Sequence, residues 1–263
     1  MRREWARSAA FTPLQRPQLR EHEAALDVNE LFEVIHEDAD LLVVSKPAGL
    51  VCHPTKTDER SSLIGRVRLH LGNGEGRLVN RLDRETSGLV VIAKSGPAAG
   101  ELGKLIERNA MRKEYAAIVH GFVAAEELTI EAPLGKDEYS VVAIKDCVRR
   151  DGSASQTHAR VERRFTRDGG EFTLLQVEPR SGRKHQIRIH LAHAGHPIVG
   201  DKIYGGDEQI YLRFVRGDLT DADRARMILR NHALHAARLG FRWRERDWSF
   251  AAAPTEEFQN FLL

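Results

Sequence analysis

Apolar residues run unbroken from Leu89 to Ala93, rich in β-branched side chains, and predict a buried strand. Phe32–His36 and Leu41–Lys46 read as two further strands across the acidic turn Glu37–Asp40, with Lys46-Pro47-Ala48-Gly49 as the stop. Val51–Pro54 continues as an extended segment. Helical spacing of Leu63, Ile64, Val67 and Leu71 predicts a helix capped by Ser61. The glycine-rich turn Gly72–Gly76 follows it. Ser95-Gly96-Pro97 opens a second helix, with Leu102, Leu105 and Ile106 on one face and an end near Asn109.

Arg112–Gly121 reads as a strand, residues 128–166 as several short strands, and Phe172–Val177 as another strand. An amphipathic helix is predicted from Arg183 to His193, with Ile187 and Leu191 inward and Gly195-His196-Pro197 as its stop. A charged helix over Ala222–Leu229, closing strands over His235–Phe241 and Trp248–Ala251, and a terminal helix over Thr255–Leu263 complete the order. Short hairpin-linked strands broken by irregularly spaced helices are not a doubly wound pattern. They predict an α+β domain with a mainly antiparallel sheet. Residues 1–30 show no sustained period and read as an arm or lead-in, with room for one short helix around Arg20 to Leu26. The folded domain is expected over 31–263.

Of the 263 residues, 41% are hydrophobic and 30% charged, which suits a soluble domain with a real core. No apolar run is long enough to span a bilayer, and no apolar stretch follows the charged N-terminus, so a cytoplasmic monomer is expected. Cys52 and Cys147 stand alone, which excludes a paired-cysteine metal site and argues against a disulfide scaffold. Net charge is only +2, but bases cluster at Arg77, Arg81 and Arg84 and again over Arg160–Arg188, while acids gather at Glu126, Glu127 and Glu131. Such segregation suits either a phosphate-binding groove or ordinary solvated faces.

Candidate chemistry centres on Leu78-Val79-Asn80-Arg81-Leu82-Asp83-Arg84-Glu85-Thr86-Ser87-Gly88, welded to the buried strand. Asp83 lies between two arginines, so it is either a fixed, ionised carboxylate able to act as nucleophile or base, or a turn-capping residue. In Ser181–His190, Arg183 and Lys184 fall in the predicted helix's first turn, unfavourable for the helix dipole unless they face an anion. His185, His190, His193 and His196 lack a carboxylate or thiolate at ligand spacing and have cationic neighbours, so no metal site is expected. Tyr115 follows Arg112 and Lys113 on a strand, the arrangement of a core tyrosine or of a base-stacking one.

These segments together resemble the RluA-type pseudouridine synthases. The matching pieces are Arg81–Leu89, Lys46–Gly49, Arg112–Tyr115, Gly182–His190 with Gly195–Asp201, and Leu234–Ala236, all in the family's order. The resemblance implies a pseudouridine synthase fold with a central RNA-binding cleft. It implies isomerisation of uridines in rRNA or tRNA to pseudouridine, after base flipping and without a cofactor or metal. Asp83 would be the catalytic carboxylate, attacking the sugar, adding to the base or acting as a base. Tyr115 would stack on the target uracil, and Arg188 would pair with Asp83. Arg81, Arg84, Lys46, Arg183, Lys184, His185 and Gln186 would line the RNA. Asn80 stands where the family usually carries His, and the N-terminal stretch is too short for the S4-type RNA-binding domain of many relatives.

Overall fold

The computed structural model describes residues 32–54, 61–72 and 75–263. The expected arm over 1–30, with its helix around Arg20 to Leu26, and part of the Gly72–Gly76 turn lie outside the described residues. Phe32–Leu263 forms one compact unit. Its strands are β1 (Glu33–Glu37), β2 (Leu41–Lys46), β3 (Arg77–Leu78), β4 (Ser87–Ala93), β5 (Arg112–His120), β6 (Glu127–Glu131), β7 (Leu134–Lys136), β8 (Asp146–Val148), β9 (Gln156–Arg167), β10 (Gly170–Pro179), β11 (Leu234–Trp243) and β12 (Arg246–Ala251). Its helices are α1 (Leu63–Leu71), α2 (Gly96–Glu107), α3 (Gln186–His193), α4 (Gln209–Arg216), α5 (Asp221–Met227) and α6 (Glu256–Leu262).

One sheet runs β1-β2-β4-β11-β5-β10-β9-β6, with β3 added on β4 and β12 on β11, while β7 and β8 form a separate hairpin. Every strand pairing is antiparallel except β4 with β11. The α+β expectation therefore holds.

The unbroken apolar run of β4 has a simple cause. Leu89, Val91 and Ala93 pack with Ala98 and Leu102 of α2 on one face. Val90 and Ile92 pack with Leu63 and Val67 of α1 on the other. A strand covered on both faces cannot alternate polar and apolar residues. Ile187 and Leu191 of α3 enter a third cluster with Ala117 and Val177 of the sheet.

Four local expectations need correction. Ser62, not Ser61, caps α1, its Oγ accepting from the Gly65 N–H at 3.2 Å. The expected helix from Arg183 begins only at Gln186, because His185 takes a left-handed φ of 56°. The Gln186 Oε1 there accepts from the Arg183 N–H and the Ser181 hydroxyl, closing a turn where the helix was expected to start. Arg183 and Lys184 therefore precede the helix, and the dipole penalty expected for them does not arise. Within 128–166, β9 is a single 12-residue strand rather than short pieces. Helix α4, between Tyr204 and the charged α5, was not expected at all.

Candidate active site

The site is built where β4, β11 and β5 meet. Ser87 pairs with His235 and Gly88 with Ala236 along the short parallel contact. Ala236 pairs on its other side with Tyr115. The loop that enters β4 is thereby set beside Tyr115. Gly88 makes the approach possible: its φ is 109°, and a Cβ there would lie 2.3 Å from the Ala236 carbonyl oxygen.

That loop is held from several sides. The Lys46 ammonium, 0% exposed, donates to the carbonyls of Pro47, Leu50 and Arg84 at 2.9, 2.8 and 3.1 Å. The Cys52 thiol donates to the Leu82 carbonyl at 3.3 Å and its sulfur accepts from the Leu82 N–H at 3.4 Å. The buried Asn80 amide donates to the Leu89 carbonyl at 3.1 Å and accepts from the Val91 N–H at 2.8 Å. Its carboxamide thus mimics a neighbouring strand for β4, which gives the departure from the family's usual His a structural role.

Asp83 projects from this loop with its side chain 27% exposed, and its Oδ2 accepts from Arg188 Nη1 at 2.8 Å. Arg188 is buried and also holds Asp201, with Nε to Oδ2 at 2.6 Å and Nη2 to Oδ1 at 2.9 Å. Asp201, fully buried, further accepts the N–H groups of Ile203 and Tyr204. One guanidinium therefore serves two carboxylates, and the trio keeps one net negative charge.

Burial alone would raise the Asp83 carboxyl, but the Arg188 charge overrides it and holds the group below the usual carboxylate range. The Tyr204 ring lies under Arg188, 5.1 Å from its guanidinium carbon. The Tyr115 hydroxyl is pushed above its ordinary pKa by burial and by the negative charge of Asp83, so it stays protonated. His185 Nε2 lies 3.9 Å from Asp83 Oδ2, and its Nδ1 hydrogen-bonds the Tyr204 hydroxyl at 2.9 Å. Burial and Arg188 drive its pKa down to about 4, so it is a neutral wall of the site.

Behind the loop lies a second buried group. Lys202 Nζ donates to Glu85 Oε1 at 2.6 Å and to the Arg230 carbonyl at 2.6 Å. His232 Nε2 meets the Thr86 hydroxyl at 2.7 Å, while its Nδ1, 3.7 Å from Glu85 Oε2, has no hydrogen-bond partner among the described residues.

The expected site residues divide sharply. Asp83, Arg188, Tyr115 and His185 come together. Arg81 and Arg183 are exposed, with no hydrogen bond or ion pair on their side chains among the described residues. Lys184 is exposed and reaches Asp146 at 2.9 Å. Arg84 is exposed, but its Nε donates to the Gly49 carbonyl and its guanidinium sits over Phe214. Lys46 and Gln186 do not face solvent. The first is the strut under the loop, and the second spends both ends of its amide on Ser181, Arg183, Gln156 and Thr157.

The β9 part of the second basic cluster is also committed. Arg163 and Arg167 donate to the carbonyls of Leu262 and Asn260, Arg164 to that of Val123, and Arg160 to Glu162. The histidines stay apart, with His190 on Thr157 and Ala132 and His196 on the His120 carbonyl. Sequence reasoning missed Asp201, Tyr204, Lys202 and His232. Asp201 was quoted within a signature segment, but nothing beside it in the chain marks its cation, which lies 13 residues upstream.

Residues 40–193 match the family model described as RNA pseudouridylate synthase, and the chain belongs to that family. It is 33% identical over 217 residues to YlyB of Bacillus subtilis, described as an uncharacterized RNA pseudouridine synthase, covering 80% of this chain and 64% of that one. It is 36% identical over 179 residues to the ribosomal large subunit pseudouridine synthase D of Pseudomonas aeruginosa, covering 66% of this chain and 54% of the relative. The chain thus spans less than two thirds of the length of these relatives. The fold matches human RNA Pseudouridylate Synthase Domain Containing 1 with a TM-score of 0.69 at 22% identity, over 87% of this chain and 85% of the other. No helix among the described residues is long and apolar enough to cross a membrane.

Proposed function

We propose that this chain isomerises specific uridines in RNA to pseudouridine and that Asp83 is its catalytic carboxylate. The reaction must cleave the C1′–N1 bond, turn the uracil and rejoin it through C5. Positive charge builds on the sugar and negative charge on the base as the first bond breaks. An ionised carboxylate at the sugar meets the first demand, as in retaining glycosidases, and can alternatively add to the base or take a proton. The observation that carries the reading is the Arg188 fork. It fixes Asp83 and keeps it ionised, yet divides its charge with Asp201, so that Asp83 is not fully neutralised.

Tyr115 offers the flipped uracil a stacking face and a protonated hydroxyl. Exposed Arg81, Arg183 and Lys184 attract the phosphate backbone. Residues 31–263 act as the catalytic domain, as a cytoplasmic monomer with no cofactor. Ribosomal or transfer RNA is the substrate, ribosomal RNA the first to examine because a relative's name specifies the large ribosomal subunit. The test is pseudouridine mapping of rRNA and tRNA from a deletion strain, complemented with wild type or Asp83→Asn. At least one site should vanish on deletion and return only with wild type. The purified Asp83→Asn variant should lose roughly three orders of magnitude or more in turnover while still binding RNA. Retained turnover would remove Asp83 from its role.

A further inference from the structure

Lys113 is the one cation on the Tyr115 face of β5 that the site, as described above, leaves unused. Its strand neighbours are both engaged: Arg112 pairs with Glu178 at 2.6 Å, and Glu114 lies 3.5 Å from Arg238. Lys113 has neither a hydrogen bond nor an ion pair among the described residues. It is nevertheless half-buried, and burial alone lowers its pKa. Its partners in register are Leu239 for Lys113 and Ala236 for Tyr115. Two residues apart on one strand, Lys113 and Tyr115 share a face, with their backbones about 7 Å apart.

The far side of Lys113 is the turn that leaves β10. A Cβ on Gly182 would lie 3.6 Å from Lys113 Nζ, so the ammonium reaches that exposed glycine. Arg183, exposed and without a side-chain partner among the described residues, follows directly. Arg188, the cation that pairs with Asp83, is already committed to two carboxylates. A half-buried charge with no partner costs free energy that an arriving anion would offset. The flipped nucleotide has one fully charged group at about this distance from its base, its backbone phosphate. An ammonium, a compact point charge with three rotatable donors, suits a phosphate oxygen.

We propose that Lys113 is a substrate-binding residue, its ammonium taking a phosphate oxygen of the nucleotide whose base lies against Tyr115. This rests on the RNA pseudouridine synthase reading. The test uses Lys113→Met and Lys113→Arg in the full chain, with binding to unmodified large-subunit rRNA transcribed in vitro, measured in the Asp83→Asn background. From about 50 to 200 mM salt, Lys113→Met should flatten the slope of log affinity against log salt by about 0.7 to 0.9, one phosphate contact. Lys113→Arg should restore it. In turnover on total RNA from the deletion strain, Lys113→Met should raise KM by about tenfold and leave kcat within about threefold, as for a uniform binding contact. The Met variant should melt no lower than wild type, since it removes an unpaired half-buried charge.

An unchanged slope overturns the phosphate assignment, even with a raised KM, because it would put the ammonium on an uncharged oxygen of the base. A lower melting temperature with an unchanged slope overturns it in favour of a structural lysine. The binding arm needs no turnover. Absence of pseudouridine formation by wild type would therefore sink the catalytic reading and leave the slope to decide on Lys113.

Discussion

A single side chain, Lys46, decides whether Asp83 has a place to stand. Its ammonium is spent on three carbonyls, one of them on Arg84, the residue after Asp83. Burial lowers its pKa to about 8, and the negative charge of Asp83 resists that fall. A charge in so dry a place is held by hydrogen bonds, and the carbonyls depend on it in return. Lys46→Met keeps the length and removes the donors. It should destabilise the fold by roughly 2–4 kcal/mol, read from urea unfolding, because buried acceptors lose their partner. RNA affinity of the folded fraction should change little while kcat falls, which separates a strut from an RNA contact. Weaker RNA binding with unchanged stability would return Lys46 to the surface role that its place in the motif suggested.

Among the elements, the junction of β4 and β11 carries the tightest constraint. Gly88 combines a positive φ with a Cβ position 2.3 Å from one atom of Ala236 and 2.7 Å from another. Gly88→Ala cannot be relieved by moving a flexible side chain, because both atoms are backbone. It should cost about 3 kcal/mol or more, combining strain with steric overlap, and should reduce turnover even in the fraction that folds. A melting temperature within a degree or two of wild type would contradict the close approach.

The same element shows what the sequence could carry. Strand β4 was legible because helices on both faces demand an unbroken apolar run, and Asp83 because it is welded to that run. The start of α3 was not legible. It is set by a left-handed His185 and by the Gln186 side chain closing a turn, neither of which leaves a periodic trace. Helix α4 escaped because it is only 8 residues long and Glu208 makes no side-chain cap hydrogen bond, although Ile210 and Phe214 stand one helical turn apart. For Arg163 and Arg167 of β9 the choice between a phosphate-binding groove and a solvated face stayed open, because their partners, Leu262 and Asn260, lie more than ninety residues further along the chain. Asp201 was hidden for the same reason at shorter range. Charge patterns reveal a cation, and only the fold reveals what it is already holding.

At the scale of the whole molecule, buried histidines set the acid limit of the fold. His185 is held neutral with a pKa near 4 and His232 near 3, burial being the larger cause in each and the Arg188 charge the next. Burial shifts His190 and His235 in the same direction. An unfolded histidine titrates near 6.5, so below that pH the unfolded chain binds protons that the native chain refuses. Stability is therefore complete above about pH 6.5 and drains as the pH falls toward 4, each such histidine contributing up to about 1.4 kcal/mol per pH unit. Asp83 and Asp201, held low by Arg188, extend the loss below the ordinary carboxylate range. Glu85 works in the opposite sense, because burial raises its carboxyl, so the native state accepts its proton first. One acid cannot offset several histidines. Urea midpoints taken at pH 7, 6 and 5 should fall steadily for the wild-type chain. His232→Gln keeps a hydrogen-bonding partner for the Thr86 hydroxyl and removes one proton site, so its unfolding free energy from the same titrations should fall less steeply, by up to about 1.4 kcal/mol per pH unit. Parallel profiles would mean that His232 already carries its proton in the native state, next to Glu85, with which its Nδ1 would then pair.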